Sequence, residues 1–422
     1  MKKSMFIFAA MFFLYNVMGM GLKDTLDYAF ENSPEYRKIE IDMEQSEIQW
    51  ERAEKKWHPA FSVSADDSDM RSVSVSQKIS GGGSASYSKT EYTDSATESE
   101  SVSIRQKITS IKDYDGIISR LSIKMARLEH QRRKKDFVLS VVNYFYDILK
   151  KQERLEIEKN SYKRWKNSYD YAVARFDSGS ANKFSVLNAK LNLMNSQNSI
   201  YSQKDALHLA LADFKKFIGF PPDKEYKSED DIDYIEPPEI TEKIRDDLRI
   251  SLLSHEIVRI NRKKAEYAAW PDISVSASAS KGSGDDDFDW STSFTYSFEL
   301  GVSGDRLTYR SSLLSEEKSG IELEQKRRSI LIEQEDYRRR LKTMERSITI
   351  KRENLKNAEE SFEFSELSFQ KGMISFIDLQ DAQVKLTQAK QDYIFSLIDN
   401  RILILRYVKA FGGDPEGFIA EK

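Results

Sequence analysis

In two segments of the chain large, mostly apolar residues recur at every seventh position. Val186, Leu193, Ile200, Leu207 and Phe214 form one series; Leu379, Leu386, Tyr393, Asn400 and Tyr407 form the other. Smaller or medium side chains follow three positions on, at Ala189, Ser196, Gln203 and Ala210, and at Ala382, Ala389 and Ser396. A seam this narrow, with a period near 3.5, predicts coiled-coil helices over roughly 182–217 and 375–411. A longer stretch precedes each, roughly 112–177 and 305–371, free of Pro and with Gly only near its start, at Gly116 and Gly320. At 1.5 Å per residue, each predicts a helix of about 100 Å. Gly179 and Gly372 separate the long helix from the shorter one and predict helix-ending turns.

Elsewhere the period drops to two. Phe294, Tyr296, Phe298 and Leu300 alternate with Thr295, Ser297 and Glu299. The stretches 72–80 (SVSVSQKIS) and 101–109 (SVSIRQKIT) are near duplicates with the same alternation, and Gly81-Gly82-Gly83 between them is a turn signal. Strand regions are therefore expected at about 60–109 and 272–303. The first is long enough for four short strands rather than two.

These elements come in two copies. Trp57-His58-Pro59-Ala60-Phe61-Ser62-Val63-Ser64-Ala65 returns as Trp270-Pro271-Asp272-Ile273-Ser274-Val275-Ser276-Ala277, with the prolines 212 residues apart. Further on the offset is 193: it pairs Ile148, Leu155, Tyr162, Tyr169 and Phe176 with Leu341, Ile348, Leu355, Phe362 and Phe369. It also pairs Gly179 with Gly372. The change of offset puts a surplus of 19 residues in the strand region of the first copy. The expected order is a signal segment at 1–21, a first repeat at 22–219, a linker at 220–238, a second repeat at 239–412 and a tail at 413–422. Each repeat opens with a helix, roughly 22–57 and 239–269, which a Pro stops. Pro34 is expected at a helix start after the cap candidates Asn32 and Ser33.

The N-terminus bears on compartment. Lys2 and Lys3 precede an apolar run from Met5 to Val17, which reads as a signal peptide cleaved after Gly19 or Gly21. Beyond it no stretch is apolar enough for a spanning helix, so membrane contact would have to come from β-strands. Charged residues make up 32% of the chain, yet the net charge is -4, which argues against a nucleic-acid surface. With no Cys, disulfides and thiolate metal sites are excluded.

Several features carry no chemistry. Asp285-Asp286-Asp287 lacks the ligand spacing and closing Glu of a calcium loop. The Gly81–Gly83 run is followed by no Gly-Lys-Ser/Thr. His58, His130, His208 and His255 show no paired spacing, so no metal or other cofactor is expected. No Ser/His/Asp grouping points to hydrolysis, and the chain does not read as an enzyme. Tyr393 and Tyr407 belong to the seam.

A helix of that length needs partners along all of it, and a few strands per chain leave edges that cannot stand in a bilayer. A hollow assembly of several chains meets both needs. On the duplicated helix–Pro–strand entry and the duplicated Gly turn, the whole mature chain resembles the TolC-type outer-membrane efflux proteins. The stretch Gly372-Met373-Ile374-Ser375-Phe376-Ile377-Asp378-Leu379-Gln380-Asp381-Ala382 is similar to the family's tip sequence. The resemblance implies a mainly α fold with β: two tandem repeats of strand hairpin plus long coiled-coil helices, in a homotrimer. A shared outer-membrane β-barrel of twelve strands, four per chain, would join an α-helical periplasmic barrel. It implies a channel subunit of a tripartite efflux pump or type I secretion system. Its partners would be outer-membrane lipid, a periplasmic adaptor and an inner-membrane transporter. Gly179, Ser180, Ala181 and Asn182, with Gly372, Met373, Ile374 and Ser375, would be adaptor-docking tips. Asp378 and Asp381, three apart on one helix face, would repeat as six carboxylates around a pore gate, where crowding raises their pKa values. The family's salt link across the tip is lost, because its positions hold Ile374 and Ser185. Two other classes fit parts of the pattern: a periplasmic coiled-coil adaptor or scaffold that never enters the outer membrane, and a secreted filament protein.

Overall fold

The structure is a computed structural model that describes residues 18–54, 60–65, 70–79, 83–92, 97–107, 114–179, 182–240, 243–268, 272–282, 287–297 and 304–420. Residues 1–17 of the expected signal segment, Pro59 and Pro271 fall outside these; the expected cleavage points, Gly19 and Gly21, fall inside, in and just after a short strand, Met18–Met20. In chain order the elements are β1 (Met18–Met20), α1 (Leu22–Asn32), α2 (Pro34–Glu54), β2 (Ala60–Ala65), β3 (Met70–Ile79), β4 (Gly83–Tyr92) and β5 (Thr97–Lys107). Then follow α3 (Tyr114–Asp177), α4 (Lys183–Ile218), β6 (Tyr226–Ser228) and α5 (Asp246–Ala268). The chain ends with β7 (Asp272–Lys281), β8 (Asp289–Ser297), α6 (Gly304–Gln370), α7 (Phe376–Ala410) and α8 (Pro415–Ala420). The chain forms two compact units, one of residues 1–39, 133–243 and 332–422, the other of 40–132 and 244–331.

The long helices stand where the sequence puts them, α3 with 64 residues and α6 with 67. The lead-in helices differ. The first is two helices, because Pro34 begins α2 and Ser33 is held extended as the C-cap of α1. Ser33 is buried, and its hydroxyl donates to the Phe217 carbonyl at 2.7 Å. The second begins at Asp246 rather than near 239. The backbone ahead of it is tied down otherwise: Lys243 N donates to Phe411 O at 3.2 Å.

In the helical unit the main core gathers Phe137, Val138, Val141, Val142, Phe145, Ile148 and Leu149 of α3 with Phe214 and Ile218 of α4, Leu26 and Ala29 of α1, and Ile398 and Leu405 of α7. The predicted seams face inward: Ala189, Ser196, Phe214, Leu379, Ala382, Leu386, Ser396 and Asn400 are buried. The small positions let the helices approach closely. The linker is part of this core. Its strand β6 pairs in parallel with β1, Met18 opposite Tyr226 and Met20 opposite Ser228. Nothing in the alternation of so short a pair signals it. Asn400, the polar break in one heptad series, donates from Nδ2 to the Ile235 carbonyl of the linker at 2.9 Å.

In the other unit six strands form one antiparallel sheet in the order β2-β3-β4-β5-β7-β8. Among the described residues the first copy supplies four strands and the second two, so the sheet has six where the resemblance implies four. The surplus is a second hairpin. The near duplicates sit in β3 and β5, each the returning strand of a hairpin, β2-β3 and β4-β5. Beside the sheet, Asp247 of α5 is held by Arg245 at 2.8 Å and by Lys326 of α6 at 2.8 Å. Burial works to raise its pKa, but these two cations outweigh it and the net shift is downward. His255 of α5 meets the Ser319 hydroxyl of α6 at 2.5 Å.

Candidate functional site

Both Gly turns are built as the sequence predicts. Gly179 and Gly372 adopt φ of 74° and 76°, the left-handed region that residues with a Cβ rarely enter. Gly179 N donates to Phe176 O at 2.9 Å, Gly372 N to Phe369 O at 3.0 Å, and Met373 N to Ser368 O at 2.8 Å. These bonds close the ends of α3 and α6. A small core supports them: Trp165, Ala172, Ala189, Phe369, Phe376 and Leu379, with Ile374 half-buried against it. Of the expected docking residues, Ser180 and Ala181 lie outside the described residues. Asn182 is the N-cap of α4, its Oδ1 accepting from Ser185 N at 3.0 Å. Met373 stands 73% exposed.

A link across the two turns exists, with different chemistry from the family's salt bridge. The Arg175 guanidinium lies over the Phe369 ring, 5.6 Å from its centroid. A Cβ at Gly372 would fall 3.5 Å from Arg175 Nη2. A cation on one tip thus rests on an aromatic ring and a bare backbone on the other. The alignment of Phe176 with Phe369 marks this neighbourhood in the sequence; nothing there marks Arg175.

The two acids each have a local partner. Asp378 completes a capping box: its Oδ2 accepts from Ser375 N at 3.0 Å and from Ser375 Oγ at 2.7 Å, while Ser375 Oγ accepts from Asp378 N at 3.3 Å. These hydrogen bonds, from the Ser375 hydroxyl first and its backbone second, pull the Asp378 pKa below its ordinary value. Within one chain that is the opposite of the rise expected from crowding. Asp381 pairs with Lys385 at 2.5 Å. Both carboxylates are exposed.

Sequence reasoning missed a polar ladder that locks the repeats together. Along α3 and α7 it joins Asp136 to Lys409, Asn143 to Arg406 at 2.9 Å and Lys150 to Asp399 at 2.6 Å. It continues with Glu158 to Gln391 at 3.3 Å and Arg164 to Thr387 at 3.2 Å. Positions fall in one helix as they rise in the other, so the long helix of the first copy runs antiparallel to the second helix of the second. Burial lowers the Arg164 pKa, with Glu366 and Glu158 opposing. On α3 the rungs recur every six to eight residues, but their residue types do not stand out from other solvated charge.

The strands carry the other half of the chemistry. On one face, register sets Ser76, Ser86, Ser103, Ser278 and Ser291 in a row across five strands. The next row holds Ser74, Ser88, Ser101, Ser280 and Asp289. Neighbouring hydroxyls bond across strands, Ser86 to Ser103 at 2.8 Å and Ser278 to Ser291 at 2.7 Å. The opposite face is apolar and bare over most of its height: Trp290 is 77% exposed and Phe294 67%, and Tyr87, Val102, Ile104, Val275 and Tyr296 are exposed beside them, up to a charged row of Lys89, Glu100 and Lys281 at one end. A hydroxyl face and an uncovered apolar face on one sheet suit a wall between water and lipid.

A duplicated helical hairpin joined to strands of this kind defines an outer-membrane channel subunit. The family model described as "Outer membrane efflux protein" matches residues 25–219 and 242–395, and the chain belongs to that family. It is therefore an outer-membrane channel subunit of the efflux type. Among solved structures it is similar to CusC, at a TM-score of 0.76 and 14% identity, covering 95% of each chain. It is also similar to VceC of Vibrio cholerae, at 0.72 and 13%, covering 93% of this chain and 96% of that one. The Campylobacter jejuni CmeC outer membrane channel gives 0.72 and 15%, with 95% and 88% covered. No curated protein matches the sequence. Family membership decides against both the adaptor that stays out of the outer membrane and the secreted filament.

Proposed function

We propose that three copies of this chain form a passive conduit from the periplasm to the exterior, energised by an inner-membrane transporter through a periplasmic adaptor. One observation carries the assembly. Helix α4 has a second apolar stripe besides its buried seam: Phe184, Leu187, Leu191, Met194 and Tyr201, all exposed, with Phe184 at 65%. Their steps of three, four, three and seven are those of a coiled-coil seam, so the stripe calls for a helix that the described residues of a single chain do not supply. A neighbouring copy supplies it. Channels of this family are trimeric components of tripartite pumps, which supports the count.

In this reading a cleaved signal peptide exports the chain, and the conduit performs no catalysis. The turns around Gly179 and Gly372 dock the adaptor, and Asp378 and Asp381 form rings of negative charge at the gate. The experiment is export by cells lacking their own copy of the channel. Wild-type chain should restore it, whereas Leu187→Glu with Leu191→Glu should leave monomers that reach the outer membrane poorly and export nothing. Full export by the double variant would refute the assembly.

A further inference from the structure

The six-stranded sheet has two open edges, β2 and β8, and each needs a partner if the sheet stands in a bilayer. The sheet cannot close on itself. Six strands fall short of the eight in the smallest membrane barrels. We infer that β8 of one copy pairs with β2 of the next, so that three copies close an eighteen-stranded barrel with a serine-lined lumen.

Direction supports this pairing. Every pair in the sheet is antiparallel, so β2 and β8, with four strands between them, run opposite ways. Copies placed side by side then meet antiparallel at each junction, and one seam repeated around an axis closes the ring. An odd number of strands per copy would force a parallel junction. The occupant of each edge is a second copy of this chain, because only the chain's own β2 edge recurs at every junction.

The faces agree with the closure. Two serine rows cross β3 to β8, the second ending on Asp289, and form a hydroxyl belt in the barrel wall; the next row holds Arg105 between Ser84 and Ser276. Trp290, Phe294 and Tyr296 stand on the edge strand β8, and all three are on the apolar face. At the junction they extend the apolar band across the seam rather than interrupting it.

Size follows from strand number. With strands about 4.8 Å apart and tilted about 40°, eighteen close at roughly 36 Å between backbones, against roughly 24 Å for twelve. The second hairpin of the first repeat therefore widens the exit. Such a barrel admits larger polar solutes, and its hydroxyl-rich wall carries Arg105 and Asp289 on either side of the serine rows.

This inference rests on the trimer proposed above, and crosslinking separates the two. The chain has no cysteine, so engineered pairs act without background. Ser62→Cys on β2 would be combined in turn with Ser291→Cys, Ser293→Cys and Thr295→Cys on β8, in full-length protein in outer membranes. A second series would replace Ser62→Cys with Ser86→Cys on β4, which a twelve-stranded barrel that excludes the β2-β3 hairpin would bring beside β8. The expected result is oxidation-dependent covalent trimers in the first series for at least one register, absent from the second and lost on reduction. Trimers from the β4 series, or none from the β2 series in protein whose native mass is trimeric, overturn the strand pairing while the trimer stands. A strand count of twelve in barrel cross-sections by electron microscopy would overturn it independently. A monomeric native mass overturns the trimer itself.

Discussion

Arg401 donates through Nη1 to Asp230 Oδ2 at 2.6 Å, and the Tyr146 hydroxyl donates to the same oxygen at 2.8 Å. Arg401 Nη2 also reaches the Asp231 carbonyl. One linker carboxylate thus ties α3 of the first repeat to α7 of the second. Asp230→Ala should leave a half-buried guanidinium and a buried phenol without their acceptor, at a cost of about 2–4 kcal/mol. Thermal unfolding followed by circular dichroism checks this. A melting temperature within a degree of wild type would show that the linker merely lies on the helices.

High pH should loosen the same region. Burial raises the pKa of Tyr146, aided by the nearby Asp230 charge, and pushes Tyr226 up to about 12. The folded chain thus holds these protons more tightly than the unfolded chain. The sign follows: this stability is complete below the ordinary tyrosine value of about 10 and is lost as pH climbs above it. Tyr226 alone should contribute a loss of roughly 2–3 kcal/mol by the time it ionises. Unfolding midpoints in denaturant between neutral pH and strong alkali measure it. Tyr226→Phe combined with Tyr146→Phe should flatten the slope; an unchanged slope would assign the effect to other groups.

The capping box makes Ser375 a poor place to probe docking, because any bulky residue there also uncaps α7. Met373 is the cleaner position, being exposed and bonded only through its backbone. Met373→Trp should leave trimer yield unchanged and abolish export. Export at the wild-type level would return the turn to the plain role of ending a helix.

Asp378→Ala with Asp381→Ala should lower cation preference and divalent block in a planar bilayer. Ser375→Ala is the control, since it removes the side-chain cap and keeps both charges. If the control shifts selectivity as much as the double variant, cap geometry rather than acid rings governs the gate.

The sequence made the helices and the duplication legible because heptad spacing repeats over five turns of the pattern and survives single exceptions such as Asn400. The Gly turns were legible because positive φ narrows the choice of residue. The six-stranded sheet was half legible. Near-identical SVSVSQKIS and SVSIRQKIT signalled an extra hairpin, while the pairing of β5 with β7, far apart in sequence, left no local mark. Ladder pairs such as Lys150 with Asp399 were hidden for the same reason. The local roles of Asp378 and Asp381 were obscured by their spacing, which serves a helix start as well as a ring.

The central claim is that this chain works as three copies around one conduit. Native mass measurement of the full-length protein, extracted gently from outer membranes in detergent, tests it most directly. The account predicts a single species of three chains that Leu187→Glu with Leu191→Glu converts to monomer. A wild-type species of one or two chains under the same conditions would contradict it.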